Sequence, residues 1–317
     1  MQRQTLLESL KTNLKDLSLE EFAKEFITKT QAIEEFYKLC HGINAGKTIS
    51  LLFNPHRLST DTAKDDLSVY ESLQYDDKLN GLARLYLYNL EHGVQNAFYN
   101  TIQRGYQNIQ YVNEFPPYIA RTVYTTYGPK DNMTILDPCA GWGGRMIGAA
   151  SILNTTYICY EPCTQTFNGL CKLGAWLKEL QPTFNFEVYN LPYEDATDLR
   201  KFDIALTSPP YYDTEHYSDE ETNSLNRYHS FDAWIDGFYT PLIINTMNRL
   251  KDDGKFIINV GDRRYPLSDK LIGICSDNNY YIARISDYLS GNGNTKEKFY
   301  LISKTTGSLY KKVNSLF

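Results

Sequence analysis

Two short stretches of this 317-residue chain carry residue types that could do chemistry. The first is TILDPCAGWGGRMIGAAS: an apolar run ending at Asp137, a turn containing Gly141, Gly143 and Gly144, then a helical pattern. Glycines in such a turn let backbone approach a ligand, and the amino end of the following helix offers N–H groups with no internal partner. A GxG turn by itself is common. Its meaning here comes from position, because open α/β sheets bind ligands beyond the carboxyl ends of their strands. Roughly twenty residues on, the next apolar run ends in Glu161, where a carboxylate can accept both hydroxyls of a ribose. The third glycine of the dinucleotide pattern is missing and DPxxGxG stands in its place, which favours a nucleoside cofactor without a pyrophosphate, S-adenosylmethionine over NAD.

The second stretch is DIALTSPPYYD, in which a strand delivers Thr207, Ser208, Pro209, Pro210, Tyr211 and Tyr212 to a sheet edge. Consecutive prolines fix the backbone and donate no hydrogen bonds, leaving carbonyls to point into a site. A polar side chain before them and an aromatic one after them could accept hydrogen bonds from an exocyclic amine while stacking the ring that bears it. The plainer reading is a rigid Pro-Pro turn capped by surface tyrosines.

The elements that must position these stretches follow from the pattern of apolar runs. From about Asn113, short runs alternate with amphipathic segments, the mark of an α/β domain with a mainly parallel sheet. Strands are predicted at 133–137, 157–161, 186–190, 203–208, 255–261, 280–287 and 298–303, with helices at 144–153, 164–180, 230–250 and 266–277. Only the Gly/Asn-rich SGNGNTKE separates the last two strands, so they should close the sheet as an antiparallel hairpin. Residues before about Gln110 read as helical: Ser18 and Glu21 form a capping box ahead of Phe22, Phe26 and Ile27, and a second helix covers Gln31 to Cys40. The stretch from Gly46 to Tyr75 looks irregular, and LNGLARLYLYNLEHGVQNAFYNTI returns to a helical pattern. Three parts are expected: a helical region at 1–112 for recognition or dimerisation, a catalytic domain at 113–304 and a polar tail at 305–317.

Composition excludes several classes. A net charge of -6 argues against a wholesale polyanion binder, so any basic surface for nucleic acid must be local. Residues 1–110 hold 12 Lys and Arg against 14 Asp and Glu and show no such bias. The six cysteines have neither zinc-finger spacing nor His partners, so reduced thiols and no metal are expected. The amino terminus lacks a signal-peptide core and no run approaches the ~20 apolar residues of a bilayer span, which points to a cytoplasmic protein with no membrane partner. Most of the 26 tyrosines must be packing.

Taken as a pair, the two stretches resemble the motifs of the DNA amino-methyltransferases, the class I S-adenosylmethionine enzymes that methylate N6 of adenine or N4 of cytosine. DPCAGWGG looks like their cofactor loop and TSPPYY like their (D/N/S)PP(Y/F) motif, over about 114–304. The family usually has Phe where this chain has Cys139, and Trp142 is large for a place between two glycines. The resemblance implies a Rossmann-like fold with a seven-stranded sheet. It implies a cofactor held by Asp137, Cys139, Gly141, Gly143, Glu161 and Asp195, and catalysis by Ser208, Pro209, Pro210 and Tyr211. The segment EFPPYIARTVYTTYG is placed like the helix that packs on the cofactor methionine. It also implies direct displacement at the methyl group and a DNA partner, as in restriction-modification systems. Related folds act on RNA bases or protein glutamine, and a cofactor-binding subunit without activity is a further alternative. The SPPY motif contains no cysteine, so 5-methylcytosine chemistry is not expected. The acidic segment DTEHYSDEETNSLNRYHS reads as a lid whose Asp219, Glu220 and Glu221 would repel phosphates. Arg263, Arg264, Lys311 and Lys312 are the candidates to attract them.

Overall fold

Runs rich in Ile, Val, Phe and Tyr pair into one seven-stranded sheet in the computed structural model, which describes residues 2–60, 67–94, 97–103, 109–110, 112–197, 200–214, 216–262, 264–290 and 295–305. Arg263, Lys311, Lys312 and the tail beyond 305 lie outside the described residues. The strands are β1 (Met133–Asp137), β2 (Thr155–Tyr160), β3 (Asn185–Tyr189), β4 (Phe202–Thr207), β5 (Leu250–Gly261), β6 (Tyr281–Ser290) and β7 (Thr295–Ser303). Their order is β3-β2-β1-β4-β5-β7-β6, with β7 antiparallel to both neighbours and the rest parallel. This is the mostly parallel sheet with a terminal hairpin that the resemblance implies. The central strands are covered on both faces, which is why they read as nearly unbroken apolar runs rather than alternating ones.

The helices α1 (Pro117–Tyr127), α2 (Gly144–Ala150), α3 (Thr164–Leu180), α4 (Thr240–Arg249) and α5 (Leu267–Asp277) accompany the sheet. α1 and α2 meet so closely that a Cβ at Gly148 would lie 2.7 Å from both the Ala120 Cβ and the Pro117 carbonyl oxygen. The helix expected at 230–250 is divided: a helical turn at Phe231–Trp234, a π-turn at Ile235–Tyr239, then α4. Pro241 explains the break, since it has no N–H to return to the carbonyl four residues back and the turn widens around the loss. Trp234, Phe238, Tyr239, Leu242 and Ile243 from this stretch join Phe202, Phe256 and Ile258 in one core. β5 starts five residues before its predicted bound, because Leu250 pairs with Phe202 ahead of a register shift.

Two compact units are present, Met1–Glu34 with Thr48–Asn113, and Glu35–Lys47 with Glu114–Phe317. In the first, Ser18 and Glu21 exchange the two bonds of the capping box, Ser18 N–H to Glu21 Oε2 at 2.9 Å and Glu21 N–H to Ser18 Oγ at 3.3 Å. Phe98 meets Phe22 and Phe26 edge-on at 5.3 and 4.9 Å. Among its described residues the stretch expected to be irregular holds three short 3-10 turns, and the last helical run is interrupted at Gly93, whose φ of +64° suits glycine. Among the described residues no helix is long and apolar enough to cross a membrane.

Candidate active site

β1 and β4 lie side by side and parallel, with Ile135 opposite Ile204 and Leu136 opposite Ala205, so the loops after Asp137 and Thr207 leave the same edge. The sheet order reverses here, β2 and β3 lying to one side and β5 to the other, which makes this the topological switch point. One hydrogen bond ties the bases of the two loops, from Thr207 Oγ1 to Asp137 Oδ1 at 3.1 Å.

Asp137 itself does not face outward. It is fully buried and its carboxylate is engaged by Arg145 Nε at 2.7 Å, by the Tyr157 hydroxyl and by the Cys139 N–H at 3.3 Å. Arg145 also donates to the Cys139 carbonyl. The expected cofactor contact is thus the internal post that shapes the loop. Burial, then the neighbouring Asp137, raises the Cys139 thiol well above its usual range, so it is no thiolate at neutral pH.

The glycines divide between two tasks. Gly141 has φ +55°, and a Cβ there would meet nothing within 4 Å, so it opens on empty space. Gly143 has φ +102° and is a packing glycine, since a Cβ would come within 2.4 Å of Leu173 Cδ2 on α3. Trp142 between them is buried, its ring 6.2 Å from that of Tyr217. Beside Gly141 sits Glu161, whose Oε2 accepts the Gly141 N–H at 3.2 Å and whose Oε1 accepts the Cys163 N–H at 2.9 Å. Burial pushes its pKa up to about 8, against the pull of those two N–H groups. Open space at Gly141 beside a buried carboxyl group leaves room for a ligand bearing a diol.

On the other loop, Ser208 Oγ, Tyr211 OH and Asn259 Oδ1 form a triangle of 3.1 to 3.2 Å sides. Asn259 lies on β5 and sequence reasoning passed over it, because it appears as one amide in the apolar run FIINV. Pro209 is buried, and the Tyr211 ring lies on Gly261, where a Cβ would be 2.8 Å from Tyr211 Cε2. Tyr212 turns the chain with a φ of +57° and packs edge-on against Phe231, Trp234 and Tyr265. Asp213 accepts from Arg264 Nη1 at 3.0 Å and the Tyr265 hydroxyl at 3.1 Å, so the phosphate candidate Arg264 is ion-paired.

The described part of the acidic segment after the motif, from 216 on, is a strap across the carboxyl ends of β1, β2 and β3. Glu220 receives the N–H and hydroxyl of Thr164 at 2.9 and 2.8 Å, and the Thr222 hydroxyl donates to the Pro162 carbonyl at 3.1 Å. Arg227 grips Asp195 with two bonds, at 2.8 and 3.0 Å, and Glu194 with one at 3.0 Å. Asp195, expected at the cofactor, therefore has both oxygens on the strap. Burial raises the Glu194 pKa, partly offset by Arg227. Of the three acids expected to repel phosphates, Glu220 is taken up internally and the Asp219 side chain is fully exposed.

No family model and no curated protein matches this sequence. Solved structures with a similar fold include a protein of Listeria monocytogenes named as a candidate class I S-adenosylmethionine-dependent methyltransferase, at 14% identity and TM-score 0.46 over 87% of this chain and 90% of that one. An rRNA methylase from Streptococcus thermophilus matches at 11% identity and TM-score 0.40 over 60% and 97%. The magnesium protoporphyrin IX methyltransferase of Synechocystis PCC 6803 matches at 12% and 0.39 over 58% and 76%.

Proposed function

We propose that this chain is an S-adenosylmethionine-dependent N-methyltransferase whose acceptor is the exocyclic amine of a DNA base, N6 of adenine or N4 of cytosine. The observation that carries this reading is the convergence of the two loops at one sheet edge, joined by the bond from Thr207 to Asp137. Glu161 and the Gly141 backbone are the groups to hold the nucleoside, with Cys139 and Gly143 in the loop that frames it. S-adenosylmethionine, when bound, supplies an electrophilic methyl group on a sulfonium.

The protein's part is to aim a poor nucleophile. The amine lone pair is delocalised into the ring, and hydrogen bonds from its N–H groups to Ser208 Oγ and the Pro209 carbonyl favour a pyramidal nitrogen directed at the methyl. Tyr211 stacks on the base and Pro210 fixes the turn between them. The serine hydroxyl is not ionised near neutral pH and is too weak a base to take the proton, so the amine, once the methyl has passed to it from sulfur, sheds that proton to solvent. The test is incubation with labelled S-adenosylmethionine and unmethylated DNA, RNA or cell lysate, followed by nucleoside and amino-acid analysis. Label in N6-methyladenine or N4-methylcytosine of DNA supports the reading. Label only in RNA or protein glutamine overturns the DNA acceptor, and no label overturns the activity.

Glu161 makes cofactor binding pH-dependent. With a pKa of about 8, the free site is mainly protonated at pH 7, whereas two ribose hydroxyls are best accepted by the ionised form. Affinity for S-adenosylmethionine should therefore rise as pH goes from 6 to 9, and binding at pH 7 should release a proton. Calorimetry in buffers of different ionisation enthalpy reads both, and a flat affinity would contradict the assignment. Glu161→Gln should remove the slope and weaken binding by roughly 10- to 100-fold.

Gly261→Ala tests the seat of the stacking ring. The added methyl must move Tyr211, so turnover should fall roughly tenfold or more while cofactor affinity holds. Unchanged turnover would place the working position of the ring elsewhere.

A further inference from the structure

A carboxamide on a central strand is out of keeping with its neighbours. Asn259 is 2% exposed in a run where Ile257, Ile258 and Val260 are completely buried. Its Oδ1 faces two hydroxyls, while its Nδ2 is buried with no hydrogen-bond partner among the described residues. An unsatisfied buried donor is destabilising, and an aliphatic residue of similar size would avoid the penalty. The fold keeps at this position a group that stability does not favour, and the oxygen of that group accepts from both motif hydroxyls.

We propose that Asn259 is a positioning residue that draws the protons of Ser208 and Tyr211 to itself, leaving the lone pairs of Ser208 to face the acceptor amine. The inference rests on the transfer reaction proposed above. A hydroxyl has one proton and two lone pairs, so it accepts from an amine cleanly only when its own proton is committed elsewhere. Ser208 Oγ and Tyr211 OH stand 3.2 Å apart, a separation at which either could donate to the other. Asn259 Oδ1, 3.2 Å from Ser208 Oγ and 3.1 Å from Tyr211 OH, has a lone pair for each proton and selects one arrangement. The register makes this reach possible, since Thr207 lies opposite Ile258 and brings Ser208 alongside Asn259.

The experiment compares Asn259→Leu, Asn259→Asp and Asn259→Leu combined with Ser208→Ala. Asn259→Leu should lower kcat on the order of 10- to 100-fold at unchanged KM for S-adenosylmethionine. Its melting temperature should equal or exceed that of the parent, which a merely structural role would not produce. Asn259→Asp, which keeps the accepting oxygen, should retain turnover within about threefold at pH 8. Added to Ser208→Ala, Asn259→Leu should cost less than about twofold more, because it acts through that hydroxyl. Full turnover in Asn259→Leu, an Asp variant as poor as the Leu one, or additive losses would each overturn the proposal. Independently of turnover, 3-fluorotyrosine placed at position 211 should show a shifted fluorine resonance in Asn259→Leu and a raised phenol pKa in Asn259→Asp; an unmoved signal in both also overturns it. A parent protein that labels no acceptor would end the functional reading instead, and the fluorine titration would still decide the Asn259 contact.

Discussion

Replacing Ser208 and Tyr211 together by alanine should abolish methyl transfer, lowering kcat by at least about 1,000-fold, while S-adenosylmethionine binds within a few-fold of its parent affinity. Single preorganised hydrogen-bonding groups are worth roughly 100- to 1,000-fold in turnover, and this pair also removes the aromatic face on which the base would rest. The cofactor side should be spared because the side chains fixing it belong to another network: Asp137 answers to Arg145, Tyr157, Thr207 and the Cys139 N–H, and Glu161 to the N–H groups of Gly141 and Cys163. Single-turnover transfer and calorimetry of the cofactor read the two halves separately. Parent-like transfer by the double variant would remove the motif from the chemistry.

The second large effect is on stability. Asp137→Leu leaves the Arg145 guanidinium, whose side chain is 5% exposed, without its carboxylate. An uncompensated buried charge of this kind costs about 3 to 5 kcal/mol. The loss should appear as a lower urea midpoint with an unchanged slope. Combining it with Arg145→Met should recover a good part, since the residual penalty is the orphaned charge rather than the missing attraction. A destabilisation under about 1 kcal/mol, or no recovery in the pair, would show that the site hydrates Arg145 by local opening.

The contrast between these two experiments reflects what was legible in the chain. Strands β1, β2 and β4 follow from their apolar runs, and the ends of those runs place both loops, because backbone pairing depends on local pattern. Side-chain pairing across the fold does not. Asp195 reads as a ligand contact until Arg227, thirty-two residues on, is found to hold both of its oxygens. Glu220 reads as a solvated acid until Thr164 is brought beneath it. Gly143 carries the same sequence signal as Gly141, yet one answers to Leu173 and the other to open space. Asn259 was invisible for the opposite reason, a lone amide inside a run that otherwise declares only burial. Pro241 was passed over as well: 230–250 reads as one helix, and the π-turn at Ile235–Tyr239 appears only where the proline's missing N–H must be absorbed.

Tyr212 turns with a left-handed backbone that a side chain disfavours by about 1 to 2 kcal/mol. The ring contacts that hold it, from Phe231, Trp234 and Tyr265, come from segments with no part in presenting the amine. The SPPY turn is in effect a bent spring whose clamp is an aromatic cluster further along the chain. Loosening that clamp, by thinning any one of the three rings, lets the turn relax toward an ordinary extended path and carries Ser208 with it, so the aim of the site is guarded from a distance by residues whose own chemistry is inert.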